Sequence, residues 1–129
     1  MKYFNILKCD SRELHLIKNF DDTYKIINYL FDLGISEVIV TKGVFGSTIY
    51  SKSDGKISIP SFMPAKVVDS TGCGDTYTAI YSYGRLKKYS IYHSGLLASA
   101  GSGMKTEKAG GLNSSFKKIK KRVETICKI

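Results

Sequence analysis

The architecture turns on the stretch Val67-Val68-Asp69-Ser70-Thr71-Gly72-Cys73-Gly74-Asp75-Thr76-Tyr77. A β-branched run enters a turn in which two glycines flank a small residue, and a helical pattern starts directly afterwards. Glycines let the backbone approach a ligand closely. The free N–H groups of a helix's first turn, with the positive end of its dipole, form a ready anion site. Asp75 is the unusual member, because a carboxylate beside bound phosphate is repelled by it. Its presence makes chemical sense if it takes a proton from an attacking hydroxyl while the amides hold the departing phosphoryl oxygens. Read alone, the same residues also make a plain capped loop, since Asp and Ser are good N-caps.

Working outward, Lys66-Val67-Val68 reads as the strand that feeds this turn. Ser47 to Ser51 and Lys56 to Pro60 are two more strands, joined by the hairpin turn Ser53-Asp54-Gly55. Val38-Ile39-Val40, within Ser36 to Thr41, is apolar without alternation, which predicts a central and parallel strand covered on both faces. Tyr3 to Lys8 reads as a further strand. Helical spacing marks Asp10 to Asn19 and Asp22 to Leu33, the latter capped by Asp21 or Asp22 and stopped by Gly34. Asp75 to Leu86, Tyr92 to Met104 and Ser114 to Lys128 follow as helices. The class is α/β.

A length of 129 residues, 43% hydrophobic and 24% charged, suits one globular domain. No apolar run reaches the roughly 18 residues of a membrane span, and no membrane association is expected. The N-terminal apolar stretch is too short for a signal peptide, so the expected compartment is the cytoplasm. Cys9, Cys73 and Cys127 are far apart, which argues against a disulfide framework or a structural zinc site. Of the 20 Lys and Arg behind the net charge of +9, eight fall between Lys105 and Lys128. In that tail Phe116, Ile119, Val123 and Ile126 recur at helical spacing. A docked apolar stripe with its lysines in water explains the charge without a nucleic-acid partner. His15 and His93 have no second ligand at metal spacing and read as surface or packing residues. Tyr77 and Tyr81, four apart, read as a packed helix face.

The run Asp69-Ser70-Thr71-Gly72-Cys73-Gly74-Asp75 resembles the C-terminal signature of the ribokinase-like (PfkB) carbohydrate and nucleoside kinases, usually Asp-Thr-Thr-Gly-Ala-Gly-Asp, with Ser70 and Cys73 as small departures. The resemblance implies a three-layer α/β/α fold, Asp75 as the base for the acceptor hydroxyl, and the amides of Gly72, Cys73 and Gly74 as the anion hole. It implies Thr71 on the nucleotide, and Asp69 at a monovalent-cation site such as one for K+. Lys8-Cys9-Asp10-Ser11-Arg12-Glu13 is similar to the family's Lys-Pro-Asn-x-x-Glu segment, which implies Glu13 and Asp10 near Mg2+ and phosphates. Hard oxygen ligands suit that ion. Read alone, Asp10-x-x-Glu13 is also a helix capping pair. Val40-Thr41-Lys42-Gly43-Val44-Phe45-Gly46 is similar to the family's Val-Thr-x-Gly-x-x-Gly segment, which implies Thr41, Gly43 and Gly46 at ATP. The small-residue run Leu97-Ala98-Ser99-Ala100-Gly101-Ser102-Gly103 and the loop at Gly110 would border the adenine.

Family members are usually more than twice this long. Residues 1–129 are therefore expected to be one partial domain, the C-terminal half of the large domain. The resemblance implies that the lid and the N-terminal substrate part are not among these residues. The expected function is ATP-dependent phosphorylation of a hydroxyl on a sugar, nucleoside or polyol, incomplete in this chain by itself. The alternative is a catalytically silent nucleotide-binding or assembly module. Homo-oligomerisation, or pairing with a complementing N-terminal half, is expected because a strand at Tyr3 to Lys8 or Val38 to Val40 would lie beside absent neighbours.

Overall fold

The apolar run Val38-Ile39-Val40 lies inside a four-stranded sheet of order β1-β2-β3-β4. The structure, a computed structural model, describes residues 5–18, 22–62, 73–105 and 116–127. The strands are β1 (Ile6–Asp10), β2 (Glu37–Thr41), β3 (Ser47–Ser51) and β4 (Gly55–Ile59). The helices are α1 (Ser11–Ile17), α2 (Thr23–Asp32), α3 (Cys73–Leu86), α4 (Ile91–Lys105) and α5 (Phe116–Cys127), with a 3-10 turn at Gly43–Phe45. The predicted strand at Lys66 to Val68 lies outside the described residues.

β1 pairs parallel with β2, from Ile6 opposite Glu37 to Asp10 opposite Thr41. β2 pairs antiparallel with β3, from Glu37 opposite Ser51 to Thr41 opposite Ser47. The strand is thus central as predicted, but parallel on one side only. The reason lies in the connection: residues 42–46 are enough for a hairpin and far too few for a crossover. β2 has neighbours on both sides, so among the described strands the margins of the sheet are β1 and β4.

Contacts divide the chain into two compact units, Met1–Ser58 and Ile59–Ile129. In the first, Cys9, Leu14, Ile26, Ile27, Leu30, Val38, Val40 and Tyr50 form one buried cluster. Ile26, Ile27 and Leu30 present the helical spacing seen in the sequence, and Asp22 caps α2 by accepting from the Tyr24 N–H at 2.9 Å. The Ser51 hydroxyl accepts from the Asp54 N–H at 3.1 Å and ties down the predicted hairpin.

In the second unit α3 and α4 lie antiparallel, with Gly84 against Ser94 and Gly101 against Ile80. A Cβ on Gly84 would stand 2.6 Å from the Ser94 hydroxyl, and one on Gly101 would collide with the Ile80 side chain. The small-residue run thus permits close helix packing, as its composition suggested. Tyr77 and Tyr81 stack with ring centroids 6.5 Å apart, and both are buried. On α5, Ile119 and Val123 are buried while Lys117, Lys118 and Lys121 are exposed. That is the docked amphipathic helix expected of the basic tail; the side chains of Phe116 and Ile126 lie outside the described residues.

Candidate functional site

Because β1 and β2 run parallel and in register, their carboxyl ends bring Asp10 and Thr41 side by side. In open α/β sheets that edge is where ligands bind. Asp10 ends β1 and caps α1: its Oδ1 accepts from the N–H groups of Arg12 and Glu13, both at 2.8 Å. Glu13 answers by accepting the Asp10 N–H on its Oε2 at 2.8 Å, which completes a capping box. The Glu13 N–H first, then the Arg12 N–H, hold the Asp10 carboxyl below its ordinary 3.8, against an opposing effect of burial. Next to them Cys9 is buried, and its thiol is pushed up to about 11, first by burial and then by the Glu13 and Asp10 carboxylates. The thiol is therefore a protonated core group, without nucleophilic character.

Both readings of Asp10-x-x-Glu13 survive in this geometry. The capping bonds occupy one oxygen of each carboxylate. Asp10 Oδ2 lies 3.9 Å from the Arg12 guanidinium on an open surface, and Glu13 Oε1 takes no hydrogen bond among the described residues. Two outward carboxylate oxygens fit an ion such as Mg2+ that keeps most of its waters and takes phosphate as further ligand. Among the described residues no group of three or more His, Cys, Asp or Glu is placed to hold a metal alone.

Thr41 closes β2, and its hydroxyl donates to the Cys9 carbonyl at 3.4 Å. The chain then folds into a tight turn: Lys42 N–H donates to Gly46 O at 2.8 Å, Phe45 N–H to Lys42 O and Gly46 N–H to Gly43 O, both at 3.1 Å. Gly43 has φ 58°, and Gly46 has φ 87° with ψ −147°. The second pair of angles is nearly closed to residues with a Cβ, so the glycine spacing is dictated by the turn. The same frame leaves Val44 and Phe45 at 67% and 86% exposure. Sequence reading passed over this pair, because an apolar dipeptide gives no sign of whether it points inward; the flanking glycines were the available signal.

In the second unit, Asp75 sits in the first turn of α3 with its side chain exposed. The helix begins at Cys73, two residues before the predicted start. A glycine at position 74 argues against a helix interior, yet a first turn tolerates it, since the opening amides have no helical acceptor to lose. The N–H groups of Cys73, Gly74 and Asp75 therefore belong to a first turn, whose donors have no acceptor within the helix itself. Farther along, the Thr78 hydroxyl donates to the Gly74 carbonyl at 3.1 Å. Asp69, Thr71, Gly72 and Gly110 lie outside the described residues, as does the Cys73 side chain. Asp10, Glu13, Thr41, Gly43 and Gly46 gather at one edge of the first unit, whereas Cys73, Gly74 and Asp75 open α3 in the second.

A cavity of about 290 Å³ is lined by Tyr92, His93, Leu96 and Glu124. Since α3 and α4 are antiparallel, it lies at the opposite end of the pair from Asp75. His93 stacks on Tyr89 with ring centroids 4.8 Å apart, the packing role expected of it.

Among known proteins, the chain matches the model of the pfkB family carbohydrate kinases over residues 1–118. The nucleoside kinase of Methanocaldococcus jannaschii is 37% identical over 94 residues, which are 70% of this chain and 31% of that protein. Its crystal structure superposes with a TM-score of 0.80 at 33% identity, over 94% of this chain and 40% of that one. Arabidopsis thaliana ribokinase, solved with ribose and ATP, gives a TM-score of 0.83 at 24% identity, over 93% of this chain and 41% of that one. A chain from E. coli solved with ATP and Mg2+ gives 0.84 at 22% identity, over 94% and 39%. The protein thus spans under a third of this curated relative and about 40% of these solved chains.

Proposed function

The chain belongs to the pfkB family of carbohydrate kinases and has the ribokinase-like fold, and we propose that it is the nucleotide-binding and catalytic-loop part of an enzyme that transfers the γ-phosphoryl group of ATP to a hydroxyl of a sugar or related small molecule. Asp75 accepts the proton of the acceptor hydroxyl as its oxygen bonds to phosphorus and the bond to the ADP oxygen breaks. The amides of Gly72, Cys73 and Gly74 hold the phosphoryl oxygens on which charge develops. Thr41, Gly43, Gly46, Thr71 and Gly110 line the nucleotide. Glu13 and Asp10 are the residues that would hold Mg2+, which would supply neutralisation of phosphate charge. Asp69 helps bind a monovalent cation such as K+.

One observation carries this reading: an exposed carboxylate in the first turn of α3, among amides that have no helical acceptor. The helix dipole alone tolerates an acid in that turn, but a cradle serving only to hold phosphate is weakened by one. The two units are taken as parts of a single incomplete domain, with the acceptor pocket supplied by residues beyond this chain or by a second polypeptide. The unpaired, buried Cys9 and the use of ATP favour the cytoplasm.

The test is a phosphotransfer assay with the missing N-terminal portion of a pfkB kinase supplied as a second polypeptide. Asp75→Asn should lower turnover by about 10²- to 10⁴-fold and leave the ATP dissociation constant within a factor of two or so. Loss of turnover and binding together would make Asp75 structural. ATP binding without turnover in every combination would leave a silent nucleotide-binding module.

A further inference from the structure

We propose that Phe45, with Val44 beside it, is the contact surface for the nucleobase, the ring of Phe45 stacking on the face of the base. The inference rests on the nucleotide reading of this edge and adds a residue to which no role has been given. A turn of this kind makes no demand for apolar side chains at its two central positions, since they face water. Here they are a valine and a phenylalanine, 67% and 86% exposed. They are not free to fold back. Three backbone hydrogen bonds of 2.8 to 3.1 Å and the two positive-φ glycines fix the turn that carries them. The turn leaves the carboxyl end of β2 directly after Thr41, beside the outward oxygens of Asp10 and Glu13.

Exposed Lys42 opens the same turn. A ligand that satisfies both features has an anionic part for the ammonium and a flat apolar part for the ring, and a nucleoside triphosphate has both. The pre-set turn loses little freedom on binding. Stacking accepts any base because every base has a π-face, so Phe45 strengthens binding without selecting adenine.

The chain contains no tryptophan, so Phe45→Trp gives a single reporter. Calorimetric titrations of the 129-residue chain with Mg2+ would compare ATP, GTP and inorganic tripolyphosphate. Phe45→Ala should weaken ATP and GTP about tenfold each and leave tripolyphosphate unchanged. Phe45→Tyr and Phe45→Trp should bind like the parent, and ATP, but not tripolyphosphate, should quench the new tryptophan. Unaltered ATP binding by Phe45→Ala, or no quenching, overturns this inference and leaves the nucleotide reading standing. No binding of ATP by the parent chain overturns both. Tryptophan emission that shifts to the blue with protein concentration alone would assign the turn to an interface between copies, and the inference fails.

Discussion

Asp10 shows how one carboxylate can serve the fold and remain available to a ligand. Its Oδ1 is committed to the α1 cap, and its Oδ2 faces outward. The two N–H groups that hold its carboxyl below 3.8 stabilise the charged form in the folded state. A depressed folded value stabilises the protein above the unfolded value near 3.8, and that contribution disappears as pH falls through the folded one. Asp10→Asn keeps an N-cap oxygen of similar quality. In metal-free buffer the variant should therefore match the parent near neutral pH, apart from a small loss of favourable charge at the helix start. It should lack the part of the parent's acid destabilisation that sets in below pH 4. Urea midpoints between pH 7 and pH 2.5 decide this; parallel curves over the whole range would mean that the cap bonds do not discriminate the protonation states. At this scale the sequence was readable wherever a residue type has few uses. The spacing of Asp10 and Glu13 announced a helix start, and the pattern from Asp75 onward announced α3. Phe45 was illegible, because its exposure is a property of the assembled turn.

The helix pair α3–α4 is held together by what its residues lack. Gly84 lets the Ser94 side chain lie against the α3 backbone, and the Ser94 hydroxyl is buried there with no hydrogen-bond partner among the described residues. A buried hydroxyl without a partner destabilises, and serine is also a poorer helix former than alanine. Ser94→Ala should thus raise stability by about 0.5 to 2 kcal/mol. Gly84→Ala has the opposite sign. The added methyl meets Ser94 Oγ at 2.6 Å and its Cβ at 3.0 Å, and the overpacking cost of about 1 to 3 kcal/mol exceeds the helix-propensity gain of about 1 kcal/mol. Chemical denaturation of both variants checks the pair of signs. A Ser94→Ala protein weaker than the parent by more than about 1 kcal/mol would show that the hydroxyl has a partner after all. The run of small residues made a close helix contact foreseeable. Which glycine meets which side chain depends on the rotation of α3 about its axis, and periodicity alone does not give that.

At the scale of the molecule, the uneven feature is a parallel strand at the margin of its sheet. Parallel strands are ordinarily interior and covered, and the apolar content of β1 is of that interior kind. Yet among the described strands β1 has β2 on one side and no neighbour on the other. Ile6, Leu7 and Lys8 are only partly buried, and Lys8 is the one basic residue available to discourage pairing along the strand. The uninterrupted run of β2 made a covered central strand legible in advance. The mixed pairing was not, since it is fixed by the length of the turn after Thr41. An open edge of this composition should recruit a strand. The purified chain is predicted to self-associate at micromolar concentrations, and light scattering coupled to size exclusion would report a mass above that of the monomer. Hydrogen exchange locates the contact. Amides of residues 6–10 that do not bond to β2 should be protected in the associated species and exchange freely on dilution. An added N-terminal portion of a pfkB kinase should displace the self-contact, because the same edge would receive its strand. A monomer that persists to millimolar concentration, with those amides exchanging at one rate throughout, would show that β1 is adequately guarded as it stands, and the case for a strand-donating partner at this edge would be lost with it.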